Sequence, residues 1–492
     1  MTEQSKPGTG LGRHAVMGVV TQVASRGARA LVGVGTVAIL SRFLTPAEFG
    51  LFALVFFLVT LAQFLGDFGI RAALVVRRDP SPLELHSLFW AAVAMGAVLT
   101  AATIAAAEPI AILFDDPRLA DPLRISAWVF VLTGARGLPM ALLEKNFKFQ
   151  SLAVSEITAA VSGAAVAIAL AMAGQGVMAL IGQQLVMAAV PAWLNFRASG
   201  YRPRAQFSAS AVRPLLGYGG RVMLANMITF LSTQIDRPIV GARLPAADLG
   251  FLSVSQQIVA TPIRTIVSNV SRVTFPLMAS IRDDNARILA GHTRTLHAMM
   301  LILGPVCFGL SAVSGPAVRV LLGPGWDVAG QIIGVAAISA LINSIAEANV
   351  AIFGSKGRAG FMLKWSLFAL AANAGLLLAL VPYGLKAIVW GRFAYVVASV
   401  PLHSWLLSRL LGCRLWDLIG SFLRPLLASM LMGLLVGVAD WQLAMVLSSP
   451  LLRLLLLVPV GVIAYALLLF LIDRQSTRAL LAKAKGALRR GS

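Results

Sequence analysis

Long apolar runs recur from one end of the chain to the other, and short polar or Gly- and Pro-bearing stretches separate them. Each run approaches or exceeds the ~20 residues that an α-helix needs to cross a ~30 Å hydrocarbon core. The polar faces of a soluble helical protein are missing, and so is the alternation of a transmembrane β-barrel. Fourteen spans are expected, at about 15–42, 48–74, 84–107, 119–141, 150–173, 176–197, 214–241, 248–279, 290–313, 328–353, 360–381, 384–408, 416–439 and 450–472. The expected fold is an all-α polytopic membrane protein with about 14 transmembrane helices.

One polar interruption carries more than a break. Ser41 to Phe52 reads SRFLTPAEFGLF. Within it, Thr45-Pro46-Ala47-Glu48 is a capping box with proline at the first helical position. Gly50 leaves room for another segment to approach closely. A fainter copy, GARLPAADLGFL, occupies 241–252, aligning Ala47, Glu48, Phe49 and Gly50 with Ala247, Asp248, Leu249 and Gly250. In the copy the proline shifts to Pro245 and the cap threonine is lost. An even number of spans separates the two turns, so both face one side. Two six-helix units in the same orientation follow, related about an axis along the membrane normal. The expected division is 1–212 for helices 1–6, 213–412 for helices 7–12, and 413–492 for helices 13–14 with a basic tail.

Composition agrees and charge adds topology. The chain of 492 residues is 58% hydrophobic and 12% charged, against ~25% charged in a soluble protein. Mean hydropathy is +0.83. The net charge of +21 would suggest nucleic acid in a soluble protein, but here the cations sort by connection. One set of connections and the tail hold 25 Lys and Arg, among them Lys148, Arg202, Arg282 and Lys356, and the opposite set holds six, including Arg42, Arg118 and Arg243. By the positive-inside rule both termini are expected in the cytoplasm, and nucleic acid is not an expected partner. No leader is evident, and the first apolar run reads as a retained span. Cys307 and Cys413 lie too far apart for a disulfide framework or metal site. No metal and no cofactor are expected. The absence of a phosphate-binding P-loop speaks against direct ATP use.

The stretches SRFLTPAEFGLFALV and LGDFGIRAALVVR in the first unit, with STQIDRPIVGARLPAADLGFLSVSQQI and SRVTFPLMASIR in the second, carry a family likeness. The sequence resembles polysaccharide and O-antigen flippases of the Wzx type, in the multidrug/oligosaccharidyl-lipid/polysaccharide flippase superfamily. The resemblance spans essentially the whole chain. It implies two six-helix lobes around a central cavity, two extra C-terminal helices and alternating access. It implies a glycan on a polyprenyl pyrophosphate as cargo, moved from the cytoplasmic to the periplasmic leaflet of a bacterial inner membrane for surface or exopolysaccharide assembly. Membrane lipids are further partners, and polysaccharide polymerase machinery is an open one. A multidrug exporter of the same fold and a lipid II flippase remain alternatives, with a membrane polymerase or ligase behind them. An exporter of cationic drugs would line its cavity with acids, whereas here bases outnumber acids within the spans.

Ionisable residues within spans are the candidates for such transport. Arg26 and Arg29 share a helix face at i, i+3 and suit phosphate recognition. Pairing with Asp67 or Glu156 is the alternative. Arg264 is a second phosphate candidate, and Arg221 faces the cavity or snorkels to headgroups. Asp67 and Arg71, one turn apart, are expected to pair as a structural or gating element. Asp236 and Arg237 point in different directions and suggest an inter-helix gate contact. Glu156 and Glu347 lack local partners and are left between ion coupling and pairing with Arg26 or Arg264. Gln183-Gln184 and Gln256-Gln257 suit helix–helix hydrogen bonds or sugar hydroxyls. The five histidines lie mostly near membrane edges, where interfacial roles are expected.

Overall fold

The computed structural model describes residue 25, residues 27–67 and residues 80–473. All regular structure among them is helical. In chain order the helices are α1 Gly27–Leu40, α2 Pro46–Asp67, α3 Pro82–Leu113, α4 Ala120–Ser126, α5 Val129–Lys145, α6 Phe149–Met172, α7 Val177–Ser199, α8 Ala209–Gln234 and α9 Asp236–Arg243. They continue as α10 Ala246–Ser280, α11 Asn285–Ala312, α12 Ser314–Leu321, α13 Asp327–Ser355, α14 Ala359–Leu380, α15 Gly384–Leu411, α16 Leu415–Val446 and α17 Pro450–Ile472. Ten helical segments among the described residues are long and apolar enough to cross a membrane.

Local chemistry sets the helix starts. The Thr45 backbone N–H donates to Glu48 Oε2 at 2.7 Å, and the Glu48 N–H donates back to Thr45 Oγ1 at 3.4 Å. Ser81 and Glu84 build the same reciprocal cap on α3. Two expected spans are interrupted. The span at 119–141 breaks between α4 and α5, and the Thr100 hydroxyl of α3 donates to the Ala127 carbonyl at 2.9 Å. A backbone carbonyl released by such a break needs a partner inside a bilayer. The span at 214–241 breaks at Ile235, between α8 and α9.

The surface is inverted relative to a soluble protein. Leu452, Leu455, Leu456, Val462, Ile463 and Leu467 of α17 are each at least half exposed. A continuous apolar surface of that kind calls for lipid.

The chain forms two compact units, Met1–Gly250 and Phe251–Ser492, with the boundary falling inside α10. In the first, α6 packs on α7, and α5 packs on both α3 and α7. Helices α8 and α9 pack on α2, with Phe230 between Phe57 and Phe64 at ring-centroid distances of 5.5 and 5.2 Å. In the second, α11 packs on α13 and α16, and α13 packs on α15. Helix α17 adds to α16 through Leu457, Met432 and Val436. Arg453 and Asp440 pair there at 2.5 Å.

The connection at 200–208 is strapped to its own unit. Trp90 Nε1 donates to the Arg204 carbonyl at 2.8 Å, and the Ser208 N–H donates to Ser87 Oγ at 2.9 Å. Tyr201 Oη lies 2.9 Å from His86 Nδ1, and its ring packs on Phe89 and Phe196. Burial pushes the Tyr201 phenol up to about 12, so it stays a neutral hydrogen-bonding group across the physiological range. Tyr201→Phe removes that hydrogen bond and is expected to destabilise the protein by ~1 kcal/mol. A lowered thermal midpoint in detergent, with translocation intact, is the result that fits a strap; an unchanged midpoint removes it.

The histidine expectation needs correction. His86, His292 and His403 are buried. His292 Nε2 lies 2.9 Å from Asn349 Oδ1, and Asn349 Nδ2 donates to Ser404 Oγ at 3.1 Å, linking α11, α13 and α15. His297 lies 2.7 Å from the Ser421 carbonyl and 3.4 Å from Asp473. Closeness to a helix end in sequence does not set burial, because neighbouring helices extend past that end. His14 lies outside the described residues.

Candidate translocation site

Arg29 lies in the first described turn of α1, and Glu156 lies seven residues into α6, about 10 Å along its axis. Arg29 Nη2 and Glu156 Oε2 stand 3.2 Å apart, with side chains 32% and 24% exposed. Arg29 therefore adopts a pairing alternative, with Glu156, and Glu156 has a charge partner on α1. The pair does not use up the guanidinium. Arg29 Nε is buried and has no hydrogen-bond partner among the described residues. A guanidinium carries five donors in a rigid fork, so one edge can hold a carboxylate while another binds a second anion. Part-exposed ions inside an apolar bundle must face a hydrated or protein-lined space, since lipid would solvate neither. Gln184 Oε1 and Gln234 Oε1 are likewise buried without a partner among the described residues. Water or a ligand hydroxyl would satisfy such atoms.

Asp236 opens α9 and is 1% exposed. Its neighbour Arg237 turns to α2, where its guanidinium carbon lies 5.8 Å from the Phe56 ring centroid. The two adjacent residues thus project differently, and a cation–π contact ties α9 to α2. Glu347 accepts from Asn343 Nδ2, one turn earlier, at 2.8 Å. The acid therefore has a local partner after all. That partner is a neutral amide, which a pattern of charges does not show. Arg26 and Arg71 lie outside the described residues, as do the side chains of Asp67, Arg221 and Arg264.

The two copies of the turn meet. A β-carbon added to Gly50 would lie 1.8 Å from the Ala246 carbonyl oxygen, and one added to Gly250 would lie 1.8 Å from that of Pro46. The contact is reciprocal, residue for residue, in the alignment of the two copies. Only a residue without a side chain permits this approach. Glu48 of the same turn reaches Gly176 at the start of α7, where an added β-carbon would lie 2.4 Å from Oε1.

A cleft of about 260 Å³ lies beside this contact, lined by Leu51, Leu54, Asp116, Arg118, Pro245 and Leu249 among others. Arg118 Nε and Nη2 donate to the Asp116 carboxylate at 2.9 and 2.8 Å. The Arg118 hydrogen bond holds the Asp116 carboxyl below its ordinary range, against the opposing effect of burial. A depressed carboxylate stabilises the fold above its unfolded pKa, and that contribution is lost as pH falls through the folded value. Unfolding of wild type and Asp116→Asn should therefore differ at neutral pH and converge below about pH 4. A gap that persists in acid would rule out the ion pair as its source.

Sequence reasoning had no signal for Phe56 as the partner of Arg237, since an apolar ring among apolar residues looks like any other. The same holds for the His292–Asn349–Ser404 set, whose members come from three separate helices.

Residues 39–331 match the family described as Polysaccharide biosynthesis protein. The chain is 28% identical over 458 residues to the succinoglycan biosynthesis transport protein ExoT of Rhizobium meliloti (strain 1021), covering 92% of this chain and 91% of that protein. It is 26% identical over 342 residues to the lipopolysaccharide biosynthesis protein WzxC of Escherichia coli (strain K12), covering 69% and 70%. Among solved structures, the lipid II flippase MurJ in an inward closed conformation matches with a TM-score of 0.75 at 14% identity, covering 93% of this chain and 99% of that one. With well over half of its length matched, the chain belongs to the polysaccharide biosynthesis protein family, on a fold shared with the lipid II flippase.

Proposed function

We propose that this protein is a flippase that carries a polyprenyl-pyrophosphate-linked oligosaccharide from the cytoplasmic to the periplasmic leaflet, for surface or exopolysaccharide assembly. Relatives named as transport and biosynthesis proteins of succinoglycan and lipopolysaccharide support the cargo class, the first over nearly its whole length. The observation that carries the chemistry is Arg29, whose guanidinium faces Glu156 and whose buried Nε has no hydrogen-bond partner among the described residues. A pyrophosphate offers that donor an anionic acceptor, and Arg26, Arg264 and Arg221 are further cations for the cavity. The polyprenyl tail stays in hydrocarbon, so only the head group needs a polar route.

In this reading the protein has 14 spans. Two parallel six-helix lobes, 1–212 and 213–412, precede a third segment, 413–492, and both termini are cytoplasmic in the bacterial inner membrane. The mutual fit of Gly50 and Gly250 supports the repeat, since each copy offers the other the same surface. The turns are the outward gate. They close on each other while cargo loads and part to release it. Arg237 on Phe56, and Asp236 beside it, brace that gate, with Asp67 and Arg71 as a second gating pair toward the cytoplasm. Glu156 and Glu347 are the acids available for ion coupling. The fold likeness to the lipid II flippase favours that carrier as the second reading.

Deletion of the gene followed by analysis of lipid-linked intermediates separates the readings. A glycan-lipid other than lipid II that accumulates on the cytoplasmic leaflet supports the proposal. Accumulated lipid II points to the second reading, and drug sensitivity with normal polysaccharide points to an exporter.

A further inference from the structure

Three interhelical connections of the second unit are tied together at one residue. Asn285, at the start of α11, accepts a hydrogen bond from Lys356 Nζ in the α13–α14 turn. Its Nδ2 donates to the Leu411 carbonyl, at the end of α15, at 3.1 Å. The knot rests on a firm floor, with Ile288, Phe353, Leu411 and Leu418 buried beneath it. Around it opens a cleft of about 300 Å³ lined by Arg282, Asp283, Lys356, Arg358 and Leu410. Three cations thus converge on one space with a single acid. That acid, Asp283, lies 3.7 Å from Arg282 with a side chain 95% exposed, a surface pair that neutralises little.

We propose that this cleft is a binding site for a phosphate anion, either the phosphate of an anionic phospholipid headgroup or free phosphate. The cations sit where membrane helices end, the level at which headgroup phosphates lie. Arg282 and Arg358 offer forked donors that match phosphate oxygens, and Lys356 adds a point charge. Asn285 acts as a positioning residue, because its two hydrogen bonds fix the turns that carry the charges. The site shares no residue with the Arg29–Glu156 pair, and its occupation would anchor the turns between α10 and α16 rather than handle cargo.

The full chain, reconstituted in phosphatidylcholine nanodiscs, is titrated separately with phosphatidylglycerol, read by native mass spectrometry, and with radiolabelled inorganic phosphate. Saturable binding of the lipid assigns the headgroup, and saturable binding of phosphate alone assigns the free anion. The triple variant Arg282→Gln/Lys356→Gln/Arg358→Gln should weaken the binding probe by about tenfold or more. A triple of equal charge elsewhere on exposed connections, Lys148→Gln/Arg202→Gln/Arg204→Gln, should change it by less than about twofold. The swap Arg282→Lys/Lys356→Arg/Arg358→Lys should retain most binding, which separates lost charge from lost fold. Asn285→Ala should weaken binding with every cation still present. Equal losses in the two Gln triples, or no saturable binding of either probe, would overturn the site.

Discussion

Arg29→Gln is expected to cut translocation by about 100-fold, the kinetic equivalent of the ~3 kcal/mol that a charge-assisted hydrogen bond can supply. The measurement is the leaflet distribution of the glycan-lipid in cells or proteoliposomes, alongside protein abundance and thermal midpoint. A structural role predicts a different pattern from a cargo role. Arg29→Gln leaves the Glu156 carboxylate without its cation, so some stability is lost in either case. Adding Glu156→Gln removes the orphaned charge and should restore stability. If Arg29 serves the pyrophosphate, the double variant still fails to translocate, because no donor with a positive charge has returned. Recovery of translocation by the double variant would reduce Arg29 to half of a structural pair. Glu156→Gln alone should keep cargo binding while freeing the guanidinium, and a strong loss of turnover there would assign the acid a coupling role.

Gly50→Val is expected to stop the cycle by a different route. The added carbon starts 1.8 Å from the Ala246 carbonyl oxygen, and ordinary contact begins at 3.4 Å. Backbone on backbone cannot yield as a side-chain tip can, so α2 and the start of α10 must separate. Translocation should fall by at least about tenfold, and Gly250→Val should behave alike, since it meets Pro46 in the same way. Gly33→Ala in α1, where an added β-carbon meets nothing within 4 Å, is the silent control. Thiol labelling then tests whether the contact opens as the proposed gate would. With Cys307 and Cys413 replaced by Ser, a cysteine at Leu249, 1% exposed in the closed contact, should be protected in the parent and labelled in Gly50→Val. Normal translocation by Gly50→Val with that cysteine still protected would remove the gate.

The two expectations were legible in the sequence to different degrees. The hydrophobic runs placed the long described helices to within about two turns, because span length and apolar content are properties of each segment alone, but they showed neither the breaks after α4 and at Ile235 nor the short helix α12. The capping box at Thr45 and Glu48 was readable for the same reason, since its partners sit three residues apart. The repeated turn flagged Gly50 and Gly250 as a matched pair, yet nothing local said that they touch. Arg29 stood out as an intramembrane charge, but its pairing with Glu156 depends on which helices lie side by side.

The sequence by itself therefore determined the class of solvent, the long helices, the Thr45–Glu48 cap and the candidate charges. Those follow from local periodicity and from the energy of placing each residue in hydrocarbon. Only the tertiary structure decided the partners: Arg29 with Glu156, Arg237 with Phe56, His292 with Asn349, Gly50 with Ala246. Helices in a bilayer associate through close packing and a few polar contacts rather than through a hydrophobic driving force. The partner of a buried charge is thus set by three-dimensional neighbourhood, which a linear pattern of apolar runs does not encode.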